Sequence, residues 1–176
     1  MITDMGDPIA ERSSGGFPVN QPLQALEKDH NYVKKLFEHY MNTQDQAVRE
    51  QAGKQILIAL EMHSSMEEAT FYPRVQNIDP GLVDQCKDQH EQTDQMVHQL
   101  KGMNPSDPQC QRMFQQLRDA IVQHIEIEEH QLFPAIQKAN IDMEAMGLEM
   151  QAFEANAVAA QAQATERRDV TGRRST

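Results

Sequence analysis

Six residues stand at spacings suited to gripping cations. His63 and Glu67 are four residues apart, and so are His124 and Glu128. On a helix, residues four apart lie one turn apart on the same face. His30 and His90 each interrupt a row of apolar residues at helical spacing: Leu23, Leu26, His30, Val33, Phe37, Tyr40 in one case, and Val83, Cys86, His90, Thr93, Val97, Leu100 in the other. A histidine in such a row points into a core. Left without partners there, six polar side chains would cost several kcal/mol. Four imidazoles and two carboxylates suit two divalent cations, with the carboxylates bridging and their charge offsetting the cations. Nitrogen and oxygen donors without thiolate fit Fe, Mn or Zn rather than Cu(I) or an iron–sulfur cluster.

The same residues recur. The row containing His90 copies the row containing His30 at an offset of 60, and His124–Pro134 copies His63–Pro73 at an offset of 61. Both of the latter stretches read HxxxEExx(F/L)(F/Y)P. Two helical hairpins of one design, packed with near two-fold symmetry, follow from this repeat. A single histidine on a helix face is usually an ordinary core or surface residue. Four of them in a duplicated pattern, each needing its own buried partner, point to metal instead. His39, His98 and His130 fall off these faces and read as surface or rim residues. Glu68 and Glu129 point about 140° from their neighbours Glu67 and Glu128 and read as solvated, or as supports behind the ligands. Asp94, four residues after His90, is kept outside the ligand set. Its alternatives are an extra ligand or an acceptor for an imidazole N–H.

The elements that must position these residues are helices. The first is read from about Gln21 to Asn42. Thr43 with Gln46 forms a capping box for the second, which ends or kinks near Pro73. Asp79-Pro80 and Asp107-Pro108 open the third and fourth, and the fourth reaches Pro134. Short connections make neighbours antiparallel, so the expected fold is an all-α, up-down-up-down four-helix bundle over residues 20–140. An additional C-terminal helix is read over 141–164, with Met143, Met146, Met150, Phe153 and Ala157 on one face, packed on the bundle or on a second copy of the chain. Residues 1–19 and 165–176 read as disordered.

Composition narrows the partners. The chain carries 16 basic and 27 acidic residues, a formal charge of −11. That balance argues against nucleic acid and against an anionic membrane surface. No apolar run is long enough to span a bilayer, and residues 1–19 lack the core of a secretory signal. With two cysteines, Cys86 and Cys110, and no CxxC motif, a reducing cytoplasm is the simplest setting.

Over residues 22–140 the pattern resembles the hemerythrin-like HHE cation-binding domain, whose motif is His, HxxxE, His, HxxxE on four successive helices. The resemblance implies a pair of non-haem iron ions, oxo- or hydroxo-bridged. His30, His63, Glu67, His90, His124 and Glu128 are then the ligands, with Glu67 and Glu128 as bridges. Oxygen-carrying members of that family have a fifth histidine where this chain has Asp94, and an aspartate one residue beyond the position of Glu128. The present set is similar to that of the di-iron proteins that respond to nitric oxide and repair damaged iron centres. A protein binding O2, NO or peroxide for sensing, buffering or stress response is the leading expectation. Apolar neighbours such as Phe37, Leu60, Ile121 and Ile127 would limit water access to it. The alternatives are a di-iron oxidoreductase (peroxide disproportionation, NO reduction or iron-centre repair), iron storage or metal buffering, and a purely structural bundle without metal.

Overall fold

The computed structural model describes residues 17–172, with side chains as far as Arg168. Most of the lead-in and the last four residues of the tail, both read from the sequence as disordered, lie outside the described residues.

Four helices run up, down, up, down. Helix α1 spans Pro22–Asn42. Helix α2 is regular over Gln46–Met66, widens into a π-helical turn over Glu67–Phe71, and closes with Tyr72–Val75. Helix α3 spans Pro80–Lys101. Helix α4 is regular over Pro108–Ile127, widens in the same way over Glu128–Leu132, and continues through Phe133–Lys138. A fifth helix, α5, spans Met143–Gly172.

The starts of α3 and α4 are built as the sequence implies. Asp79 accepts from the Leu82 N–H at 3.1 Å and Asp107 from the Gln109 N–H at 2.8 Å, each with proline at the first helical position. The start of α2 differs from expectation. Asp45, not Thr43, is its N-cap, accepting from Ala47 N–H at 2.8 Å and Val48 N–H at 3.2 Å. Thr43 belongs to the end of α1, where its own N–H bonds the His39 carbonyl. A carboxylate at the cap also sits well with the positive end of the helix dipole.

Neither Pro73 nor Pro134 ends its helix. Proline brings no N–H, and its ring crowds the carbonyl four residues back. In both helices a wide turn lies just before it, where the N–H of Tyr72 reaches back to the Glu67 carbonyl and that of Phe133 to the Glu128 carbonyl. The extra residue in that turn lets the chain remain helical past the ring.

The core is divided. One apolar cluster includes Leu26, Met66, Phe71, Val75, Val83, Leu132 and Ile136, and a second includes Phe37, Ile56, Leu60, Val97, Phe114 and Leu117. The first cluster is closed by α5, whose Met146 and Met150 are fully buried in it. Truncating either methionine should cost roughly 2–5 kcal/mol. Phe17 joins the same cluster, so residues 17–19 are packed rather than disordered. Gly147 makes that packing possible: a Cβ there would stand 2.0 Å from the Val19 carbonyl oxygen. Helix α5 also runs past the expected limit at Ala164 to Gly172, so most of the tail read as disordered continues the helix. No helix among the described residues is long and apolar enough to cross a membrane.

Candidate metal centre

Between the two apolar clusters lies a polar layer, and all six predicted residues meet in it. His30, His63, Glu67 and Glu128 form one group of buried donors, and Glu67, His90 and His124 another, with the donor atoms of each group within 4.8 Å of one another. Each hairpin contributes one pair of imidazoles. His30 Nε2 lies 3.1 Å from His63 Nε2, and His90 Nε2 lies 3.0 Å from His124 Nε2. The glutamates cross between the pairs. Glu67 turns Oε1 to His63 Nε2 at 3.1 Å and Oε2 to His90 Nε2 at 3.2 Å. Glu128 Oε2 sits 3.3 Å from His30 Nε2 and 3.5 Å from His124 Nε2. Both carboxylates are thus placed to bridge two positions.

The outward ring nitrogens explain why this cluster wants a cation. His30 Nδ1 lies 2.8 Å from Glu129 Oε1, His90 Nδ1 lies 3.3 Å from Glu68 Oε1, and His124 Nδ1 lies 3.1 Å from Gln89 Oε1. His63 Nδ1 faces Asp29 Oδ2 at 3.6 Å, too far for a hydrogen bond but close enough for the negative charge to favour a proton there. All four outer partners are acceptors, which assigns the proton of each neutral imidazole to Nδ1. Four Nε2 lone pairs then converge on three carboxylate oxygens, Glu67 Oε1, Glu67 Oε2 and Glu128 Oε2. Two of those oxygens, Glu67 Oε1 and Glu128 Oε2, receive no hydrogen bond. A buried layer of facing acceptors is unfavourable unless something positive sits among them.

In the bare chain that positive charge is a proton. Burial lowers the affinity of His30 for a proton, but hydrogen bonds to Glu128 and Glu129 outweigh it, and the pKa rises above 6.5. His63 is carried well above 6.5, burial being overcome by the charge of Glu67. His90 rises too, against burial, through its hydrogen bond to Glu67. Burial pushes Glu67 up as well, but His63 and His90 hold it well below 4.5. A divalent ion satisfies the same demand, and four imidazoles with two carboxylates suit Fe, Mn or Zn.

Glu68 and Glu129 act as supports of the imidazoles, the second of the alternatives read from the sequence. Asp94 takes neither of the roles considered for it. It accepts from Ser64 Oγ at 3.5 Å and lies outside the cluster. His98 and His130 are exposed and His39 is half-buried, all apart from the six.

The sequence reading missed Tyr72. Its hydroxyl donates to Glu128 Oε1 at 2.7 Å, and also lies 3.3 Å from Glu67 Oε2 and 3.2 Å from His90 Nε2. On a regular α-helix a residue five positions after Glu67 points about 140° away from it. The wide turn brings it back to the same face. The repeat-related residue is Phe133, which stacks on His30 with ring centroids 6.2 Å apart. A tyrosine within the repeated motif, with phenylalanine at its counterpart, was the available signal.

Above the imidazoles lies a cavity of about 10 Å³, lined by the four histidines with Val33, Leu60, Ser64, Ile121 and Ile125. It offers room for about one water-sized molecule. Leu60 and Ile121 line it as expected. Phe37 and Ile127 do not, lying instead in the two flanking apolar clusters.

The chain is 32% identical over 114 residues to a protein named DNA nickase from Nostoc sp. (strain PCC 7120 / SAG 25.82 / UTEX 2576), an alignment covering 64% of this chain and 32% of that protein. The chain therefore corresponds to only about a third of that relative's length. No solved structure matches at a significant level. The sequence model of the family described as Hemerythrin HHE cation binding domain matches residues 21–136, and again 81–174. The second match begins at α3, which copies α1, as the duplication of hairpins leads one to expect. With its four-helix frame and its buried histidine–glutamate layer, the chain belongs to the hemerythrin HHE cation-binding domain family.

Proposed function

We propose that the chain holds two non-haem iron ions, ligated by His30, His63, Glu67, His90, His124 and Glu128, and uses them to bind a small ligand of the class O2, NO or peroxide. One observation carries this reading. Four imidazole lone pairs and two unsatisfied carboxylate oxygens converge on one buried layer, with His30, His90 and His124 each backed by a hydrogen-bond acceptor on the far side and His63 facing the Asp29 carboxylate. Such a pair of ions, when bound, supplies reversible redox chemistry and Lewis acidity.

The protein's own part is to hold and to exclude. Glu129, Glu68 and Gln89 orient the imidazoles. Tyr72 keeps its proton, because burial and the charges of Glu67 and Glu128 raise its pKa well above 10, and it donates that proton to Glu128 Oε1. Val33, Leu60, Ile121 and Ile125 keep bulk water from the cavity, whose size admits only a very small ligand. The setting we propose is stress response in a reducing cytoplasm. Self-association through α5 would have to use Leu148 and Val158, which are exposed, because Met146 and Met150 are spent within the chain.

Two irons per purified chain, with an optical spectrum that responds to anaerobic reduction and to O2, NO or peroxide, is the expected result. His63→Ala and His124→Ala should each lose iron while keeping the helical signal. A chain that folds and takes up no divalent metal overturns the reading.

A second reading comes from the relative's name: cleavage of a phosphodiester in nucleic acid, which metal pairs also perform. The charge of −11 and a cavity the size of a water molecule count against it. Supercoiled plasmid incubated with the iron-loaded chain should stay supercoiled; metal-dependent nicking would reverse the order of the two readings.

A further inference from the structure

The four groups behind the imidazoles pair up under the repeat. Glu68 corresponds to Glu129 at the offset of 61, and each reaches across to the other hairpin, Glu129 to His30 at 2.8 Å and Glu68 to His90 at 3.3 Å. Asp29 corresponds to Gln89 at the offset of 60, and each stays within its own hairpin. Asp29 Oδ2 lies 3.6 Å from His63 Nδ1, and Gln89 Oε1 lies 3.1 Å from His124 Nδ1. Position for position the outer frame is the same, and one exchange breaks it. A carboxylate stands where its copy has a neutral amide. Burial widens the difference: the side chains of Asp29 and Glu129 are 12% and 20% exposed, whereas Glu68 is 47% exposed and screened by water. A charge acts through its field and needs no hydrogen bond to do so. It stabilises a neighbouring cation in proportion to that cation's charge, so it favours three positive charges over two.

We propose that Asp29, set against Gln89, makes the two metal positions unequal in charge. The His30/His63 position fills first, and when the pair holds one Fe(III) and one Fe(II), that position takes the Fe(III). One electron withdrawn from the fully reduced pair by an electron-accepting dye leaves from there, and the ion at His90/His124 stays Fe(II). Asp29 is a positioning residue in this scheme, acting through His63 on the charge that the position prefers. The proposal rests on the metal-binding reading above and states how that site divides charge between its halves.

The test uses the full chain in wild type, Asp29→Asn and Gln89→Glu, exchanges that alter charge and hardly alter shape. Iron per chain is counted first, and a wild type without iron overturns the underlying reading and this one with it. Stepwise titration with Zn(II), which has no redox chemistry, reads the filling. Asp29→Asn should weaken the first equivalent about tenfold and the second less than about twofold, and Gln89→Glu should strengthen the second alone. Redox titration of the iron-loaded chain with mediator dyes, followed by electron paramagnetic resonance, reads the valence. Two neighbouring ions oxidise in separate steps even in a symmetric site, because their charges repel, so the response to the exchanges is what decides. Asp29→Asn should raise the first couple by about 59 mV, the equivalent of tenfold for one electron, and Gln89→Glu should lower the second. Iron-replete variants that shift both steps alike, or neither, overturn the division of charge while leaving the metal reading intact.

Discussion

The two halves of the polar layer share one plan and differ in their surroundings. Both imidazole pairs have nearly the same Nε2 separation, 3.1 Å for His30 and His63 and 3.0 Å for His90 and His124. Both follow from an HxxxEE stretch that runs into a wide turn before proline. The contrast lies behind and beside them. The pair His30/His63 faces two carboxylates, Glu129 at 2.8 Å and Asp29 at 3.6 Å, and His30 stacks on Phe133. The pair His90/His124 faces the half-exposed Glu68 at 3.3 Å and the neutral amide of Gln89 at 3.1 Å, with the Tyr72 hydroxyl alongside. Duplication supplied the arrangement of donor side chains twice. Substitution around it then gave the two positions different fields, and negative charge close behind an imidazole makes it the stronger donor to a cation.

The largest expected effect comes from removing what the halves share. Glu67→Ala takes away a carboxylate that reaches both pairs, and should weaken metal binding at both positions by more than about a hundredfold, read by equilibrium dialysis and iron analysis. Removing one outer carboxylate should act on one half. Glu129→Gln is expected to lower affinity at the His30/His63 position by about tenfold, and Glu68→Gln, more exposed, to do less at the other. Stepwise titration with a divalent ion checks this, and equal affinities in the wild type would erase the contrast drawn above.

Loading should also release protons. His30, His63 and His90 are raised above 6.5 in the bare chain, so their contribution to its stability is present below that pH and is lost as pH rises through the raised values. A cation must displace those protons, so a weakly buffered indicator at pH 7 should report acidification on loading, and affinity should fall as pH falls. The smallest effect belongs to Tyr72→Phe, which makes the two halves alike at this point. It removes one donor from a buried carboxylate and should cost the bare chain about 1–3 kcal/mol in chemical denaturation, with iron content unchanged.

Much of this arrangement was legible in the sequence because it rests on periodicity. The gaps in the rows around His30 and His90 placed those residues inward, and the repeat joined them to His63, Glu67, His124 and Glu128 without reference to a structure. Aspartate followed by proline marked the starts of α3 and α4, since that pair satisfies both the capping and the backbone requirements of a first turn. What failed to show was whatever depended on a change of period. Tyr72 reaches the centre only because the turn before it is wide, and regular spacing sends it elsewhere. Glu129 serves His30 from another helix, 99 positions away, a partnership that no local pattern encodes. Thr43 offered a capping signature as plausible as that of Asp45, and only the path of the chain between α1 and α2 decided between them. Phe17 is the one aromatic residue in a mostly polar stretch, and its place in the core depends on Gly147 leaving room for Val19.

The division of the core bears on how such a protein would be supplied. With a hydrocarbon cluster closed on each side of the histidine layer, folding and the proposed filling with ions would be separable events. On that proposal, a cell could make the chain while metal is scarce and keep it standing empty. When the ion arrived it would load by exchange with protons, without a new round of synthesis.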